Sequence, residues 1–282
     1  MASCENTKLR ICLLQFLDKG DLTQTLSHLE ELVETAVKQH QPHIIALPEC
    51  FTFAYETELP ILNANAETIK DGKTCQTLSA LAKKFNLHIV GGSIVERDGA
   101  NLYNTATVWN EKGELIAKHR KVHLCDIHFK NESDIVEVNR FTPGENTTTF
   151  EINGIKCGVA ICYDAFFDEF IKTYRKSACE VLFVPAAYDL CIGPPYWELF
   201  HRSRANDNQL FVAAISPARN EKSNYVIYGH SMIIDPTGKI LTEAGIREEI
   251  IFHEIDIKVL QRVREALPLF RARRPEVYDK IK

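Results

Sequence analysis

Residues 156–164 read KCGVAICYD. Between Lys156 and the polar Tyr163-Asp164 pair the run is apolar, short and without helical period, which is the pattern of a buried strand. Helix-like spacing follows to about Ala178, so the chain must turn sharply at Cys162. A second run, HIIALPE at 43–49, has the same form and ends in Glu49. Carboxyl ends of strands are where sites assemble in layered α/β folds. On such a turn the Cys162 thiol is expected to be exposed, beside backbone N–H groups able to hold an oxyanion. A thiol of pKa ~8.5 is mostly protonated at neutral pH, so it needs a nearby base or cation.

Outward from these runs, the chain alternates strand and helix patterns. Arg10–Phe16 is strand-like, and Leu22, Leu26, Leu29, Val33 and Ala36 mark one face of a helix. Thr74–Phe85 repeats the helical spacing. Strands are predicted at Leu87–Val95, Tyr103–Asn110, Glu114–His119 and Glu180–Pro185, then at Leu210–Ser216, Val226–Asp235, Lys239–Glu243 and Ile250–Ile255. Pro194-Pro195 opens a helix to about Asn208, and Lys258–Ala266 forms another before a basic tail. From Arg120 to Pro143 periodicity fades into a long polar loop of the kind that usually carries function. No linker, repeat or low-complexity stretch interrupts the pattern. One α/β domain with a mixed sheet, or two packed sheets covered by helices, is the expected architecture.

The composition, 45% hydrophobic and 25% charged over 282 residues, excludes disordered, collagen-like and coiled-coil classes. Thirty-three basic against thirty-eight acidic residues give a net charge of -5, so no basic field for nucleic acid is expected. No run approaches the ~20 apolar residues of a membrane span. Arg10 and Gln15 interrupt the N-terminal apolar stretch, leaving no signal-peptide core. A cytoplasmic protein with free thiols is the expectation.

Read alone, each reactive residue also has a plain structural explanation. Cysteines are commonly buried for packing. Glu49 would serve equally as a helix cap or half of an ion pair, and Lys121 in KHRK as part of a solvated face. His119, His123, Cys125 and His128 lie close in sequence, but the second ligand pair of a zinc site is missing and no metal is expected. His123 or His230 could serve a Cys–His hydrolase, yet no signature of such enzymes surrounds any cysteine.

Taken together, LPECF (47–51), HRKVHL (119–124), CYD (162–164), WELFHRSRANDNQ (197–209), SPARN (216–220) and GHSMIIDPTGKIL (229–241) resemble the nitrilase superfamily of carbon–nitrogen hydrolases, most closely its omega-amidase-like branch. The matches run in order from residue 8 to 278. The resemblance implies a four-layer α-β-β-α sandwich over 8–278 that pairs into homodimers, acts on a small-molecule amide and needs no cofactor. It implies a Glu–Lys–Cys site at Glu49, Lys121 and Cys162, with a second glutamate between the lysine and the cysteine. Glu132, Glu137 and Glu145 are available, and family spacing to Pro143-Gly144 selects Glu137. It implies further that Lys121 and the Tyr163 N–H stabilise the oxyanion. Helix Phe167–Ala178 and segment Leu267–Tyr278 are the pairing elements it suggests.

The family commonly reads C-Y-D-x-R-F, where this chain has Phe166 in place of the arginine. If that position lines the pocket, a guanidinium suited to a substrate carboxylate has become an apolar wall. Deaminated glutathione or a less polar amide then competes with short dicarboxylate monoamides as substrate. A non-catalytic member acting as a binding protein is the other alternative. Retention of Glu49, Lys121 and Cys162 weighs against it.

Overall fold

Leu9, Ile11 and Leu13 of the first strand join a core between two sheets, while Cys12 and Leu14 join a second core beneath helices. This period-two alternation sets the layering of the molecule. The computed structural model describes residues 7–54, 57–128, 135–278 and 280. Its strands are β1 Lys8–Gln15, β2 Ile44–Ala46, β3 His88–Val90, β4 Ile94–Asp98, β5 Asn101–Trp109 and β6 Leu115–Arg120. A small ribbon, β7 Asp126–Ile127 and β8 Ile135–Val136, follows. The second half adds β9 Thr148–Ile152, β10 Ile155–Val159, β11 Val181–Pro185, β12 Phe211–Ile215, β13 Met232–Ile234, β14 Ile240–Glu243 and β15 Glu249–Asp256. The helices are α1 Leu22–His40, α2 Leu59–Asn65, α3 Lys73–Phe85, α4 Asp168–Lys176, α5 Gly193–Asn208, α6 Ile257–Ala266 and α7 Pro275–Tyr278.

One sheet runs β15-β1-β2-β3-β5-β4 with β6 also on β5, and the other runs β14-β13-β12-β11-β10-β9. Each is parallel at its centre (β1, β2, β3 and β10, β11, β12) and antiparallel at its flanks. α1 and α3 cover the outer face of the first sheet, with Leu29, Val33 and Leu78 wholly buried. α4 and α5 cover the second through Ile171, Tyr174 and Trp197. The result is a four-layer α-β-β-α sandwich, as expected. Asp21 starts α1 by accepting the Gln24 N–H at 3.0 Å, which satisfies one of the free donors of its first turn.

The structure corrects several sequence expectations. Leu87–Val95 is two strands, because Gly91-Gly92-Ser93 leaves the sheet to meet the turn after β2. Gly92 has φ +55, and a Cβ there would lie 2.1 Å from the Pro48 carbonyl oxygen. Val226–Asp235 shrinks to β13, since Gly229 (φ +81) and His230 (φ +61) bend the backbone out of extended form. β10 ends at Val159, and Cys162–Phe166 forms a 3-10 turn. The loop expected over 120–143 carries the β7–β8 ribbon, and β9 and α2 went unread in the sequence.

Candidate active site

Glu49 leaves β2 on a tight turn clamped by the 91–93 segment. The Ser93 N–H donates to the Pro48 carbonyl at 3.2 Å, and the Cys50 N–H donates to Ser93 Oγ at 3.1 Å. Cys50 has φ +53, an uncommon conformation for a residue with a side chain and one found where a site needs a sharp turn. Glu49 is wholly buried. Its Oε1 accepts from Asn104 Nδ2 at 2.8 Å and from Lys121 Nζ at 3.0 Å. Its Oε2 is buried without a partner in hydrogen-bond geometry. Burial raises the Glu49 pKa above its ordinary value of 4.5; Lys121 opposes this, and a hydrogen bond with the Cys162 thiol is a weaker opposing influence.

Lys121 follows β6 and is also wholly buried. It lies between two carboxylates, Glu49 on one side and Glu137 on the other, the latter 2.8 Å away at Oε2. Glu137 comes just after β8 and is fixed in turn by the Cys125 N–H, 2.8 Å from its Oε2. Desolvation alone would lower the lysine pKa, but the charges of Glu137 and Glu49, and of Cys162 whenever it ionises, hold it well above the usual range. Gly144 donates to the Lys121 carbonyl at 2.8 Å, and a Cβ at Gly144 would lie 2.2 Å from the Arg120 oxygen. That close approach accounts for glycine in the Pro143-Gly144 pair. Of the other candidates for the second glutamate, Glu145 is exposed. Glu132 lies outside the described residues.

Cys162 begins the 3-10 turn after β10 with φ +49, so the strand-to-turn transition passes through the left-handed region at the thiol itself. Contrary to expectation the residue is buried, 3% exposed. Its side chain joins the core between the two sheets, in the same cluster as Cys125. Burial first, then a hydrogen bond with Cys125 and the charge of Glu49, push the thiol pKa well above its ordinary value, while Lys121 works the other way. A pKa shifted in that direction favours the protonated thiol, which becomes a nucleophile only beside a base.

The residue that joins these pieces is Asp164, buried two positions beyond the cysteine. Its Oδ1 accepts the backbone N–H groups of Val122 and His123 at 3.2 and 2.9 Å, and His123 Nδ1 at 2.8 Å. Its Oδ2 accepts His119 Nε2 and the Ile161 N–H, each at 3.0 Å. Although burial favours the neutral acid, the two histidine hydrogen bonds hold its pKa well below the usual carboxylate value. His119 and His123, weighed above as metal ligands, are thus anchors of the lysine segment. Among the described residues no cluster of three or more histidine, cysteine or acidic side chains is suited to a metal. Sequence reasoning quoted Asp164 within CYD but missed this function; the available signal was a histidine two residues to either side of Lys121.

A cleft of about 520 Å³ opens beside Glu49, lined also by Cys50, Ala187, Asn220, Lys222 and Tyr225. Phe166 lies outside its lining. Its ring packs on Phe200 at 4.2 Å, Tyr163 at 4.9 Å and Tyr188 at 5.5 Å, while its carbonyl accepts from Arg204 Nη2 at 2.8 Å. Tyr163 occupies the first turn of the 3-10 segment, where backbone N–H groups have no partner within the helix.

The carbon-nitrogen hydrolase family model matches residues 8–265. The chain belongs to this family and is an enzyme of the amidase kind, as its motifs led one to expect. It is similar to Omega-amidase NIT2 of Xenopus tropicalis, 40% identical over 272 residues that cover 96% of this chain and 97% of that protein. Omega-amidase NIT2 of Homo sapiens is 38% identical over 276 residues, covering 96% and 97%. Among solved structures, Saccharomyces cerevisiae Nit3, a member of branch 10 of the nitrilase superfamily, superposes with a TM-score of 0.87 at 37% identity, covering 97% of this chain and 99% of that one.

Proposed function

We propose that the protein is an omega-amidase-like amidohydrolase that releases ammonia from a small carboxamide through a thioester on Cys162. The observation that carries this reading is the buried Lys121, bonded to Glu49 and Glu137, together with Cys162 on the strand-to-turn elbow after β10. Glu49 takes the thiol proton as sulfur bonds to the amide carbon. Lys121 and the Tyr163 N–H hold the resulting oxyanion. Glu49 then gives its proton to nitrogen, the C–N bond breaks and ammonia leaves. Water, deprotonated by a carboxylate, attacks the thioester; the acid departs and the thiol is restored. Glu137 keeps Lys121 aimed at the oxyanion.

A small-molecule amide is the partner, with residues 8–278 acting as one domain in a homodimeric, cytoplasmic protein. No described helix is long and apolar enough to cross a membrane. Phe166, expected to form an apolar pocket wall, packs instead among Phe200, Tyr163 and Tyr188 outside the cleft lining, so its replacement of the guanidinium does not argue for less polar amides. Ammonia release from a panel of small amides, run beside Cys162→Ala, tests the function. Activity in the wild type and none in the variant is the expected result.

A further inference from the structure

Among the described residues the buried Tyr188 hydroxyl has no hydrogen-bond partner, and Glu49 Oε2 has none beyond the Cys162 thiol. Tyr188 stands beyond the end of β11 as Cys162 stands beyond the end of β10. These strands are parallel neighbours, with Val159 opposite Phe183, so the two exits lie side by side. Ala187, one residue earlier, lines the same cleft as Glu49.

The tyrosine ring is fixed from several sides. Trp197 meets it edge-on at 5.1 Å, and Phe166 and His201 pack at 5.5 and 5.7 Å. Its carbonyl accepts the Tyr228 N–H at 2.8 Å. Burial raises the phenol pKa first, and the charges nearest in influence are Cys162, Cys125 and Glu49. A phenylalanine would make the same ring contacts without the cost of a buried, unpartnered hydroxyl. An oxygen kept there, where the charges of Cys162 and Glu49 reach it, calls for a ligand that hydrogen-bonds to it.

We propose that the Tyr188 hydroxyl is a substrate-binding group that accepts one N–H of the reacting carboxamide. The inference rests on the amidase function proposed above. A primary amide nitrogen carries two N–H donors and its carbonyl only accepts. Lys121 suits the carbonyl, which leaves Glu49 Oε2 and Tyr188 for the nitrogen. Held by Tyr188, the nitrogen turns the lone pair that develops in the tetrahedral intermediate towards protonated Glu49. Glu49 donates that proton as the C–N bond breaks, and ammonia departs. The site is thereby matched to unsubstituted amides.

Tyr188→Phe keeps the ring contacts and deletes one oxygen. Its kcat/KM for ammonia release from a small primary amide should fall about three- to tenfold, the range of one neutral hydrogen bond. The S-methyl thioester of the same acid, whose leaving group has no N–H and a weakly accepting sulfur, should be hydrolysed as by wild type. The thermal midpoint should equal or exceed that of wild type. An unchanged amide rate, or equal losses on amide and thioester, overturns the role of Tyr188. A wild type that cleaves the thioester but no amide overturns the amidase function itself, and this inference with it.

Discussion

Asp164 grips His123 twice, accepting its backbone N–H at 2.9 Å and its ring Nδ1 at 2.8 Å on the same oxygen. The same carboxylate holds Ile161, so the segment bearing Lys121 and the elbow bearing Cys162 are tied to one point. Asp164→Asn keeps the shape but replaces one accepting oxygen with a donor that faces other donors. Removing a buried charge from paired groups costs about 3–5 kcal/mol. The wild-type carboxyl has a lowered folded pKa, so the stability it contributes is present above its ordinary 3.8 and is lost as pH falls through the folded value. Thermal unfolding followed from neutral to acid pH should show the asparagine variant less stable at neutral pH, with a shallower acid decline. Parallel curves for the two proteins would remove Asp164 from the acid response.

Cys162 should carry the acyl group. Denaturing mass spectrometry of enzyme mixed with a slow amide is expected to show one adduct, on Cys162. An adduct on Cys50 or Cys125, or full turnover by Cys162→Ala, would reject the assignment.

Glu49→Gln removes the base while keeping volume and should lower kcat by at least ~10²-fold. In the wild type the raised Glu49 pKa predicts that the acid limb of kcat/KM lies above pH 4.5, because the base works ionised. A limb at or below that value would count against Glu49.

Lys121→Met should cost a similar factor in kcat, and it also strands two buried carboxylates. Without the cation the Glu49 pKa, already raised by burial, rises further, so the variant binds an extra proton when folded and loses stability as pH rises. Thermal midpoints for this variant should therefore be higher in mild acid than at neutral pH. The opposite slope would mean that Glu49 and Glu137 are not held by Lys121.

The exposed apolar residues Leu267, Leu269, Val277 and Tyr278 suit a pairing surface. Phe270 also lies under the Arg175 guanidinium of α4, at 4.6 Å. Light scattering of a chain ending before Leu267 should show weakened or lost dimers, and an unchanged dimer mass would clear the tail of that role.

Much of this was legible because periodicity reports burial. α1, α3 and the central strands of both sheets follow from apolar spacing alone; Glu49 and Cys162 stand out just past two of those strands, but their roles come from the resemblance of the surrounding motifs. What the sequence concealed depends on contacts between distant segments. The bend at Gly229-His230 is stabilised by Trp197 Nε1 donating to the His230 carbonyl at 2.6 Å, a partner that local pattern cannot reveal. Burial of the Cys162 thiol was missed because a turn reads as surface until the opposing sheet is in place. Tyr188 gave no signal either, since an aromatic residue after an apolar strand reads as core.

Glu49 and Lys121 extend from the first sheet and Cys162 from the second. The Lys121–Glu49 pair spans 72 positions in the chain, and the His119–Asp164 pair that ties one sheet to the other spans 45. Neither half of the molecule holds a working fragment of the site. The proposed nucleophile and base come together only where the sheets dock, so the proposed chemistry is a property of the seam between the two halves of the fold.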